Sequence, residues 1–206
     1  MADQRIAVLA SGRGTNLQSL LDRTSDGSIP GKVVLVVSDV QGANALERAE
    51  KSDVETRFLD YAVFSRKSDY EQALLEVLEE KQPDLICLAG YMRILGSAIV
   101  KRFEGRIMNI HPSLLPAFPG LEAQRQALEY GVKVTGCTVH FVDAGMDTGP
   151  IILQRSCPVL DEDTPETLAA RILEIEHRLY PLAVRLFFEN KLESRGRRVY
   201  IKEDGI

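Results

Sequence analysis

Asn109 and His111, two residues apart, are the residues of this sequence best suited to chemistry. They stand in the run MNIHPSLLP, which leaves a predicted strand and enters a loop that contains two prolines. Residues i and i+2 of a strand point to the same side, so the amide and the imidazole lie together. Such a pair can bind a developing oxyanion, and the imidazole can also move a proton. A lone histidine is more often structural, so both interpretations stay open here.

A second candidate group lies in the run VDAGMDTGP, a glycine-rich loop with two carboxylates between two apolar strands. Hairpin loops often contain Asp and Gly for conformational reasons alone. Asp147 gains interest from His111, because an acid/base pair with a water could relay the proton that an amine nucleophile loses and a leaving nitrogen gains. The other two histidines, His140 and His177, are interpreted as structural.

A third candidate is the run SGRGTNLQ at 11–18, where the first predicted strand turns into a helix. Glycines allow close backbone approach, and the free N–H groups and dipole of a helix start favour an anion, most naturally phosphate. The run is neither G-x-G-x-x-G, because Leu17 takes the last glycine position, nor a P-loop. The alternative is a tight turn capped by Asn16.

The three candidate runs lie in a sequence that predicts alternating strands and helices. Short β-rich apolar runs that alternate with segments of period near 3.6 predict an α/β fold with about seven strands in a mostly parallel sheet and helices on both faces. Ligands of such sheets bind beyond the carboxyl ends of the strands. The predicted strands are 5–10, 32–39, 55–59, 84–89, 106–110, 134–142 and 150–159, and the main predicted helices are 16–23, 43–51, 68–81 and 165–188. Strands 134–142 and 150–159 are expected to be antiparallel, and Arg195, Arg197 and Arg198 are expected to form a solvated tail.

Composition narrows the class of protein. A chain of 206 residues, 45% hydrophobic, can form one domain over 1–206. A net charge of -5 argues against a general nucleic-acid binder. We find neither an apolar run long enough to span a membrane nor a secretory signal, so we expect a cytoplasmic protein. The three cysteines are widely spaced in apolar surroundings, which predicts buried thiols rather than disulfides or a metal site.

Taken together, the runs SGRGTNLQ, LAGYMRIL, NIHPSLLP and HFVDAGMDTGP closely resemble, in the same order, the phosphoribosylglycinamide formyltransferases. The resemblance covers nearly the whole chain, and the glycine loop followed by Asn-Leu-Gln distinguishes this family from the wider folate formyltransferases. It implies a Rossmann-like formyltransferase fold, 10-formyltetrahydrofolate as the formyl donor, glycinamide ribonucleotide as the acceptor, and no metal. We expect small-molecule substrates, no nucleic acid, no membrane, and a monomer or homodimer.

The resemblance also implies roles for individual residues. Asn109, protonated His111 and Asp147 would form the catalytic trio, in which His111 and Asn109 stabilise the oxyanion and Asp147 keeps His111 charged and orders a water. The implied acceptor-binding residues are Gly14, Thr15 and Asn16 for the phosphate and Glu176 for the glycinamide end. The implied folate-binding residues are Arg66, Lys67, Met92, Arg93, Ile94, Leu95, Val100, Ala144 and Asp147; between Arg66 and Lys67 the choice stays open.

Two positions depart from the family pattern. Thr15 replaces a common Ser but keeps the hydroxyl, whereas Glu122 stands where many members have His, which could move the pH optimum. The enzyme alternatives are methionyl-tRNA formyltransferase and formyltetrahydrofolate deformylase, which normally need a longer chain, and a small sugar-nucleotide formyltransferase. An alternative of another class is a non-catalytic phosphate-binding module, in which Asn109, His111 and Asp147 would not converge.

Overall fold

The computed structural model of the chain describes residues 4–202. The chain divides into two compact units, Met1–Met108 and Asn109–Ile206, and each is described by itself. The proposed single domain over 1–206 stays a prediction.

The first unit is a parallel sheet with helices between its strands. Its strand order is β3-β2-β1-β4, and β1 pairs in parallel with both β2 and β4. Residues 6–9 are completely buried, as expected of a strand covered on both faces. The elements are β1 (Arg5–Leu9), α1 (Thr15–Ser25), β2 (Lys32–Ser38), α2 (Asn44–Glu50), β3 (Thr56–Phe58), a 3-10 turn (Tyr61–Val63), α3 (Lys67–Lys81), β4 (Leu85–Leu88) and α4 (Ser97–Arg102).

The division between the units falls within β5 (Ile107–His111), and the second unit has a mixed sheet. Strands β6 and β7 are antiparallel, β7 and β9 are parallel, and β8 and β9 are antiparallel, in the order β6-β7-β9-β8. The long α6 begins with a capping box at Thr164 and has Pro in its first turn. The elements after β5 are α5 (Ala123–Tyr130), β6 (Val134–Phe141), β7 (Ile151–Pro158), α6 (Pro165–Phe188), β8 (Leu192–Arg195) and β9 (Arg198–Ile201).

The predicted fold class, α/β with a mostly parallel sheet and flanking helices, is confirmed. Each of the seven predicted strands agrees with an observed strand to within one residue at each end, and the antiparallel pairing of β6 with β7 is confirmed. The strand count was too low, because residues 4–202 contain nine strands. The three arginines are exposed, as the prediction of a solvated tail requires, but they do not form a tail. They belong to the β8–β9 hairpin, whose turn contains Gly196 at φ +59°.

The cores of both units are apolar, and they contain the cysteines. Cys87, Cys137 and Cys157 are all buried and free, as predicted. No helix within residues 4–202 is both long enough and apolar enough to cross a membrane.

Candidate active site

His111 is a buried residue at the carboxyl end of β5, and both of its ring nitrogens face oxygen atoms. Its Nε2 lies 2.8 Å from the backbone oxygen of Phe118, and its Nδ1 lies 3.4 Å from Oδ2 of Asp147. Phe118 has a positive φ of +53°, which turns its carbonyl toward the imidazole by a backbone conformation that is uncommon outside glycine. A protonated ring would satisfy both acceptors, since imidazolium has two donors.

Burial works against that protonated form. Desolvation is the largest influence on His111 and lowers its pKa below the ordinary value of 6.5. The Phe118 carbonyl and the Asp147 carboxylate oppose this effect but do not reverse it. Burial therefore favours the neutral imidazole, whereas the resemblance implies a charged one.

Asp147 lies in the loop between β6 and β7, and its carboxylate is held by groups from three segments. Its Oδ2 accepts a hydrogen bond of 2.8 Å from the Gly120 amide in addition to facing His111. Burial on its own would raise the pKa of the Asp147 carboxyl, but the neighbouring His140 ring, the Gly120 amide and the His111 ring together hold it below its ordinary value of 3.8. The group is ionised and can accept a proton or a hydrogen bond at neutral pH.

Asn109 completes the predicted trio, and its amide also contacts a residue that the sequence analysis interpreted as structural. Nδ2 of Asn109 lies 3.4 Å from Oδ1 of Asp147 and 3.2 Å from Nε2 of His140. His140 Nδ1 lies 2.8 Å from the Phe141 carbonyl, which assigns the ring hydrogen to Nδ1 and leaves Nε2 to accept from Asn109. His140 therefore orients Asn109 and belongs to the site.

The loop after His111 is held by buried hydrogen bonds as well as by its prolines, and it contains a cis Leu115–Pro116 bond. The Thr138 hydroxyl on β6 donates to the Ser113 carbonyl at 2.7 Å and accepts from the Leu115 amide at 3.0 Å. Gln154 on β7 donates to the Leu115 carbonyl at 2.9 Å. The two strands thus fix the loop that aims the Phe118 carbonyl at His111.

In the first unit, the glycine loop has the backbone form that an anion site needs. Gly14 directly precedes α1 with φ +69°, and a Cβ there would lie 2.7 Å from Cα of Ala45, so no larger residue fits. Thr15 and Asn16 open the helix, and the positive end of the helix dipole there favours an anion. The Asn16 side chain does not cap α1, so the alternative of a turn capped by Asn16 was wrong.

The residues proposed to contact folate differ in exposure. Met92 and Ile94 are 62% and 56% exposed, whereas Leu95 and Val100 are buried. Arg93 forms a 2.6 Å ion pair with Asp39. The remaining candidates are Arg66, paired with Asp69, Lys67, paired with Glu71, and the exposed Ala144.

Two further residues from the sequence analysis lie in the second unit. Glu176 is buried within α6, where its charge adds to burial in raising the pKa of Cys137 to about 12. Glu122 is exposed at φ +56° before α5 and faces Arg125 at 3.6 Å, so its carboxylate has a cationic neighbour. Among residues 4–202 there is no group of three or more His, Cys, Asp or Glu side chains placed to hold a metal ion.

Comparison with known proteins gives consistent matches. A family model described as formyl transferase matches residues 4–184. Phosphoribosylglycinamide formyltransferase of Bacillus subtilis (strain 168) is 42% identical over 193 residues, which cover 94% of this chain and 98% of that protein. The trifunctional purine biosynthetic protein adenosine-3 of Bos taurus is 44% identical over 202 residues, 97% of this chain, and the chain spans only 20% of its length. The crystal structure of glycinamide ribonucleotide transformylase 1 from Symbiobacterium toebii superposes with a TM-score of 0.96 at 56% identity, covering 98% of this chain and 95% of that chain.

Proposed function

The chain belongs to the formyl transferase family, and from that premise we propose that it transfers the formyl group of 10-formyltetrahydrofolate to the amine of glycinamide ribonucleotide. The products are formylglycinamide ribonucleotide and tetrahydrofolate, in purine biosynthesis. The observation that carries the proposal is that Asn109 and His111 both contact the carboxylate of Asp147. A non-catalytic module would have no need to bury this set of groups together.

The trio can perform the steps that formyl transfer requires. When the acceptor amine attacks the formyl carbon, charge develops on the formyl oxygen, which hydrogen-bond donors must stabilise. We assign that role to the Asn109 amide and to His111 in its protonated form. Asp147, ionised and beside the Nδ1 of His111, favours the charged ring and can hold a water. As the C–N bond to the folate breaks, that water can carry the proton lost by the acceptor amine to the leaving folate nitrogen.

In the ligand-free protein, the donors assigned to the oxyanion have other partners, and they must exchange these partners for the oxyanion. His111 Nε2 faces the Phe118 carbonyl, and the Asn109 amide faces Asp147 and His140 at distances of 3.4 and 3.2 Å. Contacts of that length are weak, so an oxyanion can compete for the Asn109 hydrogens. Because burial lowers the pKa of His111 in the ligand-free protein, we propose that the bound substrates favour its protonated form.

We propose that Gly14, Thr15 and Asn16 bind the acceptor phosphate and that Glu176 contacts the glycinamide end. For the reduced folate, exposed Met92 and Ile94 offer apolar surface to a flat ring system, and this fit supports a folate donor. The other proposed folate contacts are Arg66 or Lys67, Arg93, Leu95, Val100, Ala144 and Asp147. We further propose a cytoplasmic enzyme that is a monomer or homodimer.

The decisive experiment measures transfer from 10-formyltetrahydrofolate to glycinamide ribonucleotide by the wild type and by His111→Asn, with binding of both substrates measured separately. We expect wild-type turnover and a loss of roughly 100- to 1000-fold in kcat for the variant, the usual effect of losing one oxyanion donor. Substrate dissociation constants should stay nearly unchanged.

His177→Asn provides the matched control, since it makes the same change at a histidine of α6 outside the proposed trio. It should keep wild-type turnover. If the wild type only hydrolyses the donor, a deformylase is favoured, and if it formylates a sugar nucleotide instead, the acceptor assignment is wrong. An active His111→Asn would contradict the role given to the imidazole.

A further inference from the structure

Asp39 directly follows β2 in the first unit, and its carboxylate is buried. Its side chain is 4% exposed, and both of its oxygens have close partners. Oδ1 accepts a hydrogen bond of 2.5 Å from the Ser11 hydroxyl, and Oδ2 lies 2.6 Å from Nε of Arg93. A buried carboxylate persists only when such partners compensate its lost hydration.

Ser11 links this carboxylate to two loops of the first unit. It is the first residue of the glycine loop, and its amide donates to the Gly90 carbonyl at 3.0 Å. While its hydroxyl donates to Asp39, the same oxygen accepts a 2.9 Å hydrogen bond from the Met92 amide. A shift of Ser11 would therefore disturb the backbone at Met92.

Arg93 is fixed from the opposite side of Asp39. Its guanidinium lies 3.7 Å from the centre of the Tyr61 ring, a cation–π contact, while its Nε holds the carboxylate. The planar group cannot move without breaking one of these contacts. Asp39 thus ties Ser11 of the glycine loop to Arg93 of the segment that carries Met92 and Ile94.

We propose that Asp39 is a positioning residue that couples the two substrate subsites of the first unit, so that filling the phosphate loop improves folate binding. The proposal rests on the proposed function, which assigns phosphate to Gly14–Asn16 and folate to the segment after Gly90. An anion bound in the glycine loop would fix the position of Ser11. Ser11 in turn fixes Arg93 through the Asp39 carboxylate, and it fixes the Met92 amide through its own hydroxyl. Linkage requires the effect to be reciprocal: folate must improve acceptor binding by the same factor.

The test uses the full chain and the unreactive pair of glycinamide ribonucleotide and tetrahydrofolate, which binds both subsites without transfer. Calorimetry gives the dissociation constant of each ligand with the other absent and saturating. For the wild type we expect each ligand to tighten the other on the order of fivefold or more. In Asp39→Asn, which keeps the shape but removes the charge that holds Arg93, the factor should fall toward one.

Ser11→Ala tests the same link without removing the buried charge, and it should reduce the factor as well. It keeps the proposal testable if Asp39→Asn folds poorly. Glu79→Gln is the matched control, because Glu79 also meets an arginine Nε at 2.6 Å, with Arg102, but on an exposed surface. It should keep both the wild-type affinities and the wild-type factor.

The outcomes separate this proposal from the proposed function. A wild type that catalyses transfer but shows no coupling, or variants that keep the full factor, would overturn the role of Asp39 alone. A wild type that binds neither ligand and transfers no formyl group would overturn the proposed function, and this inference with it. A variant that loses both affinities equally while keeping the factor would indicate a structural role only.

Discussion

At the scale of single residues, opposing interactions set the pKa of His111. The Phe118 carbonyl and the Asp147 carboxylate favour its charged form, whereas burial disfavours it more strongly. Because the balance favours the neutral ring, the protein keeps a base that is ready to take a proton. As a result, the folded protein should lose stability in acid, which an ordinary exposed histidine would not cause.

This sensitivity should appear in the free energy of unfolding. The pKa of His111 is lower in the folded chain than its ordinary value of 6.5. As the pH falls below that value, the unfolded chain binds a proton at His111 before the folded chain does. The free energy of unfolding therefore falls as the pH falls. Replacing His111 by Asn should make urea unfolding less pH-dependent between about pH 7.5 and about pH 5.5. The lowered pKa of Asp147 affects stability only near and below its ordinary value of 3.8, outside that interval. Equal or steeper pH dependence in the variant would show that the ring is not buried as a neutral group.

The sequence made some of these residues predictable and others not. Asn109 and His111 could be predicted because strand periodicity places them on one side, and Asp147 because an acid/base pair with His111 suits proton transfer. His140 and Asp39 carry no comparable local signal. His140 acquires its role only when β6 brings it to Asn109, and Asp39 only when Ser11 and Arg93, 28 and 54 residues away, fold onto it.

At the scale of elements, the β8–β9 hairpin has a contact with the loop that carries Asp147. Arg197, in the turn of the hairpin, donates a 2.9 Å hydrogen bond to the carbonyl of Thr148. The loop also has hydrogen bonds of its own, because Asp143 accepts from the Gly145 amide and from the Thr148 hydroxyl. The hairpin therefore supports the loop from outside.

Removing that support should loosen the loop. In Arg197→Met, which keeps the length but not the donor, amide hydrogen exchange in residues 143–150 should become on the order of two- to fivefold faster, as expected for one lost hydrogen bond. Arg195→Met is the control, because Arg195 contacts Glu193 and Tyr200 within the hairpin. Exchange that is unchanged in Arg197→Met, or equally faster in both variants, would contradict a specific support.

The accuracy of the element predictions followed the strength of their apolar patterns. Buried strands such as β1 and β4 are continuous apolar runs bounded by polar or turn residues, so their ends were found closely. The β8–β9 hairpin is polar and largely exposed, and its pattern does not differ from that of a solvated segment. Its pairing with β7 is a tertiary contact that local propensity does not report.

At the scale of the whole molecule, the three buried thiols report on global opening. Burial raises the pKa of Cys137 to about 12 and also raises that of Cys157, so neither forms a reactive thiolate while folded. At mildly alkaline pH we expect a thiol reagent to label none of Cys87, Cys137 and Cys157 in the native protein and all three after denaturation. Rapid labelling of a native thiol would reveal a local opening in the unit that contains it.

The order of the last strands has a consequence for synthesis on the ribosome. In the second unit, β9 lies between β7 and β8, so the strand made later occupies the inner position. The only strand that neighbours β8 in that order is β9, and β8 must wait unpaired until residues 198–201 have emerged. A nascent chain halted before that point would leave the edge of β7 without its β9 neighbour.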